Sequence, residues 1–231
     1  MNSLKMNRFE DFVIDQPYQK NGSDLACISA ASPNGNHSGD WESHYLETFK
    51  TNIREYLRKK QNGRCAYCRL RIHDNEAQAE IEHIVPKQKK AEWMYDTFNL
   101  CLSCKSCNTK KGYQKEIIED NEVTQLPRDS SSYLIIHPYL DQYSQHIELV
   151  EEVLYKGLTD KGRYTIELCK LNRFELAAAR AEGVIEHDST LYSKWMLLLV
   201  NEENQRLIDN VDKLIKRISE LIDEYKELHA S

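Results

Sequence analysis

Two Cys-x-x-Cys pairs dominate the chemistry this sequence can do. Cys65-Ala-Tyr-Cys68 and Cys104-Lys-Ser-Cys107 stand 35 residues apart. Each knuckle bends the backbone so that two thiolates face one ion, and two knuckles make a tetrahedral four-cysteine zinc site. Four soft thiolates leave no open coordination position, so such a zinc is structural. The competing reading is four coincidental buried cysteines, and two correctly spaced pairs weigh against it. Cys101 extends the second pair into a run of thirds, but it follows Asn99-Leu100 where an apolar residue is expected. It reads as a core thiol.

A second constellation lies between and just after the knuckles. It comprises Glu80-Ile81-Glu82-His83-Ile84-Val85-Pro86-Lys87, then Phe98-Asn99-Leu100, then Cys107-Asn108-Thr109-Lys110-Lys111-Gly112. Hydrolysis of a phosphodiester needs a water, a base that works near neutral pH and stabilisation of the departing oxygen. A histidine, with an ordinary pKa near about 6.5, can be the base. A carboxylate and an amide oxygen can hold one divalent ion over the phosphate. An isolated histidine at a strand end would be read as inert, but these neighbours change that balance. Lys87, Lys89, Lys90, Lys105, Lys110, Lys111 and Lys115 form a basic rim that could contact flanking phosphates. The alternative is an ordinary solvated lysine face.

From the first knuckle to Gly112 the sequence resembles the HNH endonucleases. The resemblance implies a ββα-metal fold and phosphodiester hydrolysis. It assigns His83 as general base and Glu82 as a metal ligand, at a position more often His or Asp. It makes Asn99 the middle asparagine, which orients the base and ties the loop to the strand. Asn108 falls at the last position, a metal ligand that is His or Asn across members. Glu82 and Asn108 both offer oxygen, which points toward Mg2+ or Mn2+ as the catalytic ion.

The resemblance continues with less specificity. His137-Pro138-Tyr139-Leu140-Asp141, Lys161-Gly162, Thr165-Ile166-Glu167-Leu168, Leu171-Asn172-Arg173-Phe174-Glu175-Leu176 and Arg180 form an ordered series. It is similar to the tail of the retron- and Septu-associated PtuB-like nucleases of anti-phage defence. That family implies an ABC-type ATPase partner, PtuA-like, and admits a retron reverse transcriptase with its non-coding RNA. It leaves DNA and RNA, including tRNA, open as substrates, with DNA the first expectation. A zinc-stapled binding module without catalysis is the alternative of another class. The intact set Glu82, His83, Asn99 and Asn108 argues against it.

The elements needed to position these residues can be traced by period. Leu46, Phe49, Ile53 and Leu57 recur at helical spacing from Trp41, with Asp40 as the expected N-cap and Gly63 as the expected left-handed stop. A hairpin is expected to bracket Glu80 to Ile84, closed by Pro86, with a helix after Cys107. Tyr133 to Ile136 reads as strand-like, and Arg163 to Gly183 as helical. Leu207, Val211, Leu214, Ile218, Leu221, Tyr225 and Leu228 form a heptad seam. The expected class is α+β and mostly helical, around a central ββα-metal unit with its zinc knuckles. The expected divisions are an N-terminal arm (1–40), the nuclease domain (41–118) and a helical, partner-docking region (119–231).

Composition sets the frame. The 231 residues carry 31 basic and 37 acidic side chains, a net charge of -6. Between Arg54 and Lys115, however, fourteen Lys and Arg face seven Asp and Glu, a local +7. Local field matters more than total charge for steering a polyanion. The longest apolar run, Trp195 to Val200, has six residues. That is too short for a bilayer span, and with no secretory pattern at the start the chain is expected in the cytoplasm.

Overall fold

A computed structural model describes residues 11–72, 79–150 and 153–185. The chain divides into two compact units, Met1–Ile147 with Gly157–Lys170, and Glu148–Lys156 with Leu171–Ser231. These divisions fall at neither 40 nor 118.

The first unit opens with α1, Gly22–Ala31, started by a reciprocal capping box between Asn21 and Asp24. Asp24 is fully buried. It accepts from Tyr18 Oη at 2.8 Å and from Asn52 Nδ2 at 2.9 Å. Asn52 lies on the next helix, α2, Glu47–Lys60. Residues 11–40 are therefore not the arm that their composition suggested. Phe12 and Ile14 are buried, and the Ile14 amide donates to the Pro138 carbonyl at 2.8 Å.

Helix α2 carries the expected apolar face: Leu46, Phe49, Ile53 and Leu57 are all at zero exposure. Its start differs from expectation. Two 3-10 turns, Ser38–Glu42 and His44–Leu46, precede it. Asp40 caps the first of these by accepting from the His37 amide, so it cannot serve the later helix. Gly63, at φ +66°, ends the α2 turn as expected, with its amide bonded to the Arg58 carbonyl. The basic last turn, Arg58 to Lys60, complements the helix dipole.

β1, Ala79–His83, and β2, Leu100–Cys104, pair antiparallel with Glu82 opposite Cys101 and His83 opposite Leu100. Helix α3, Lys105–Lys111, follows directly. It starts before Cys107, not after it, because Cys104 is itself the N-cap. Gly112, at φ +58°, terminates it. Beyond α3 the expected strand at 133–136 is only an isolated bridge, Ile118 to Tyr133. Residues 119–146 are largely turns rather than helix. The helix expected from 163 to 183 is two: α4, Asp160–Cys169, and α5, Phe174–Ile185. Lys170 takes the left-handed conformation at φ +49° and stops α4.

The second unit holds most of a hairpin, β3 (Ile147–Val150) and β4 (Leu154–Gly157), together with α5. The Asn172 side chain bonds the Tyr155 amide and carbonyl, both at 2.8 Å, and Arg180 Nε donates to Tyr155 Oη. The expected seam from Leu207 to Leu228 lies outside the described residues.

Candidate functional site

The four knuckle cysteines converge. Their sulfurs all lie within 4.8 Å of one another, and Cys68 Sγ is 4.0 Å from Cys104 Sγ. Four thiolates at about 2.3 Å from a tetrahedral zinc stand about 3.8 Å apart, so the cluster fits the ion. Among the described residues this is the one group of three or more His, Cys, Asp or Glu side chains gathered closely enough to hold a metal.

Local backbone explains the convergence. Arg69, at φ +60°, turns the first knuckle, and its amide bonds the Cys65 carbonyl at 3.1 Å. At the second, the Cys107 amide donates to Cys104 Sγ at 3.5 Å. Gln61, fully buried, bonds the Arg64 carbonyl and both the amide and carbonyl of Leu102. It ties the first knuckle to β2. Cys101 is buried outside the cluster, and burial pushes its thiol well above the usual range. Arg69 itself is buried between the rings of Phe12 and Tyr143, 3.5 and 4.4 Å from their centroids.

Beside the cluster is a cleft of about 500 Å³, lined by β1, α3, α2 and the turn at Trp41. Side chains two apart on a strand share a face, so Glu80 and Glu82 both present to α3. Asn108 Nδ2 donates to Glu80 Oε2 at 2.5 Å. Lys111 Nζ stands 2.5 Å from Glu82 Oε1 and also donates to the His83 carbonyl at 3.0 Å. Glu82 and Asn108 thus line one cleft. Burial pushes the Glu82 carboxyl up, and the Lys111 ammonium opposes that shift.

His83 is 6% exposed and lies edge-on to Trp41, with ring centroids 4.4 Å apart. The Met94 backbone carbonyl accepts a hydrogen bond from the ring, while Nε2 is buried with no partner. The proton therefore sits on Nδ1 and the lone pair on Nε2. Burial, helped by the Lys87 and Lys111 charges, pushes the pKa down to about 3, so the ring is neutral at neutral pH. Asn99 is fully buried. Its Oδ1 accepts from the Val85 amide at 2.8 Å and its Nδ2 donates to the Val85 carbonyl at 3.0 Å. It pins the loop that follows His83.

The lysines separate into two groups. Lys111 is 3% exposed and belongs to the cleft floor, not to a solvated rim. Lys87 bonds the Ser38 carbonyl and Glu42, Lys89 pairs with Glu116 at 2.6 Å, and Lys90 bonds the Val123 carbonyl. Lys105, Lys110 and Lys115 are exposed. Among the cleft residues to which the sequence reading gave no role are Trp41, Lys50, Arg54 and Glu80. Glu80 carried a legible signal, its place two residues before Glu82. The other three come from a segment whose nearness to β1 is purely tertiary.

Comparison with known proteins bears directly on this cleft. Residues 65–114 match the family model described as HNH endonuclease. This segment is an HNH domain. Over 126 residues the chain is 32% identical to a Septu protein PtuB of Bacillus thuringiensis, covering 54% of this chain and 43% of that relative. It is 27% identical over 207 residues to a Septu protein PtuB of Bacillus mycoides (strain KBAB4), covering 77% and 68% respectively. A Septu protein PtuA of the same strain is 23% identical over 158 residues, 61% of this chain and 22% of that protein. The chain thus spans less than half the length of the B. thuringiensis relative. The HNH domain includes both knuckles, β2 and α3, together with the described cleft residues from Glu80 to Gly112. No helix among the described residues is long and apolar enough to cross a membrane.

Proposed function

We propose that this chain is a metal-dependent endonuclease that hydrolyses phosphodiester bonds of nucleic acid, DNA foremost, through the HNH cleft. The observation that carries the reading is the buried, unpartnered Nε2 of His83 in the same cleft as Glu82 and Asn108. In this reading the β1–β2–α3 segment is the ββα-metal unit, and the four cysteines hold a structural zinc. Glu82 and Asn108 would hold Mg2+ or Mn2+ through oxygen, the donor type such ions prefer. An ion held by these two residues would supply charge neutralisation at the scissile phosphate and the departing 3′ oxygen.

The chain's own residues do the rest. His83 accepts the proton of the attacking water at Nε2, and the Met94 carbonyl holds the opposite edge of the ring in place. Burial keeps the ring in the neutral form that can take a proton. The approaching phosphate anion stabilises the imidazolium that results. Asn99 keeps the His83 backbone and the following loop in register. Similarity to the PtuB proteins supports a role as nuclease component of a cytoplasmic anti-phage system, with a PtuA-like ABC-type ATPase as partner. The test is incubation with end-labelled duplex DNA, single-stranded DNA and RNA, in Mg2+ or Mn2+, with and without that ATPase. Metal-dependent internal cuts in any of these support nuclease activity. Intact substrates under every condition overturn it.

A further inference from the structure

The cleft has a second wall. Lys50 and Arg54 of α2 line the same cavity as Glu82, His83 and Asn108. They are four residues apart, hence neighbours on one helical face and about 6 Å apart along the axis. Two cations so placed can share one phosphate or hold neighbouring phosphates of one strand.

The position of Lys50 is fixed relative to the base. Its Nζ lies 5.5 Å from the Trp41 ring centroid, and the same indole packs edge-on against His83. One aromatic ring thus links a cation to the reaction centre. The other two lysines of the cleft have closer partners. Lys111 pairs with Glu82 at 2.5 Å and Lys87 with Glu42 at 3.4 Å. Among the described residues the ion-pair partner of Lys50 is Glu47, at 3.9 Å and 75% exposed, which in water is a weak competitor for a phosphate. Of the seven lysines expected to grip the backbone, Lys111 is buried against Glu82, and Lys87 and Lys90 donate to backbone carbonyls, which brings other cations of the cleft into question.

We propose that Lys50 and Arg54 form a phosphate-binding subsite that holds the nucleic-acid backbone beside the scissile bond. This subsite rests on the nuclease reading of the HNH cleft. It places substrate grip on α2, outside the HNH domain itself. Bound there, the backbone lies in the cavity that Glu82 and Asn108 also line. The arrangement reads phosphate, not base, and so supplies affinity without sequence preference.

The test measures binding of the full chain to fluorescein-labelled duplex and single-stranded oligonucleotides by anisotropy, in Ca2+ to suppress cleavage, across a salt series. The variants are Lys50→Gln, Arg54→Gln and the double variant, which keep the aliphatic stems on the helix. Zinc content and melting temperature are recorded for each. The double variant should reduce the steepness of log K against log salt by about 1.8 on duplex or about 1.4 on single strands, with zinc content unchanged. A parallel Lys105, Lys110 and Lys115→Gln triple variant tests the exposed lysines. If it carries the salt dependence while the α2 variant binds like the parent, the subsite is refuted and the nuclease reading stands. If the parent neither binds nor cuts any of these nucleic acids, both fall. Should the glutamine variants lose zinc or melt early, Lys50→Arg and Arg54→Lys decide. Retained binding in both supports the subsite, and lost binding in folded protein overturns a charge-based grip.

Discussion

Lys111 Nζ lies 2.5 Å from Glu82 Oε1, and the two side chains are 1% and 7% exposed. A buried pair of this kind contributes little net stability when whole, but breaking it is costly, because one charge is left unpaired. Lys111→Met should therefore destabilise the protein by about 3–5 kcal/mol in urea denaturation. Adding Glu82→Gln to the same chain should recover much of that loss. A single variant as stable as the parent would show that Glu82 is protonated in the fold.

His83→Ala should reduce cleavage by about a hundredfold or more, the usual contribution of a positioned base. Oligonucleotide affinity in Ca2+ should stay within about twofold, because a base acts in the transition state rather than in ground-state binding. Zinc content reports whether the fold survives loss of a ring packed on Trp41. Undiminished turnover would mean that another group activates the water.

Elemental analysis should find one zinc per chain. Cys104→Ser should lose it and unfold the HNH domain, since Cys104 is one of the four clustered thiols and also the N-cap of α3. Far-ultraviolet circular dichroism during chelator titration gives the same readout. Folded parent protein free of zinc would remove the claim.

The fourth prediction concerns acid. His137 is fully buried, stacked on Phe98 at 4.7 Å, and its pKa is pushed down to about 3 by burial, with Lys161 and Arg128 adding to the shift. Its folded value lies below the ordinary value near about 6.5, so the unfolded chain takes the proton first. Stability from this group is complete above pH ~6.5 and is lost as the pH falls toward 3, by up to about 1.4 kcal/mol per pH unit. His83 acts with the same sign. His137→Phe keeps the stacking but removes the titration. Between pH 7.5 and 4.5 its urea midpoint should fall less than that of the parent, and an equal fall would acquit His137.

The legible parts of the fold were those where chemistry or period demands a residue type at a fixed spacing. The knuckles and the Leu46–Phe49–Ile53–Leu57 face are of that kind. The start of α2 was not, because Asp40 satisfies its capping potential on the His37 amide and the chain then makes two tight turns. Lys111 could not be told from Lys110 by composition. Which of the two points inward depends on the phase of α3 relative to β1. The break at Lys170 has no Gly or Pro to mark it. The packing of Phe12 depends on Arg69, 57 residues later, which no local pattern records.

Arg69 has one more consequence. Four thiolates around one divalent zinc carry two net negative charges, an uncomfortable sum for a centre shut away from water. The buried Arg69 guanidinium follows Cys68 directly, and its own pKa, depressed to about 10 by burial, is raised in part by the nearby Cys65. A zinc held there would have this guanidinium as a nearby counter-charge, shared with Asp11 at 4.0 Å. The aromatic clasp of Phe12 and Tyr143 keeps that charge from solvent, so two residues 131 positions apart in sequence hold one cation beside the first knuckle.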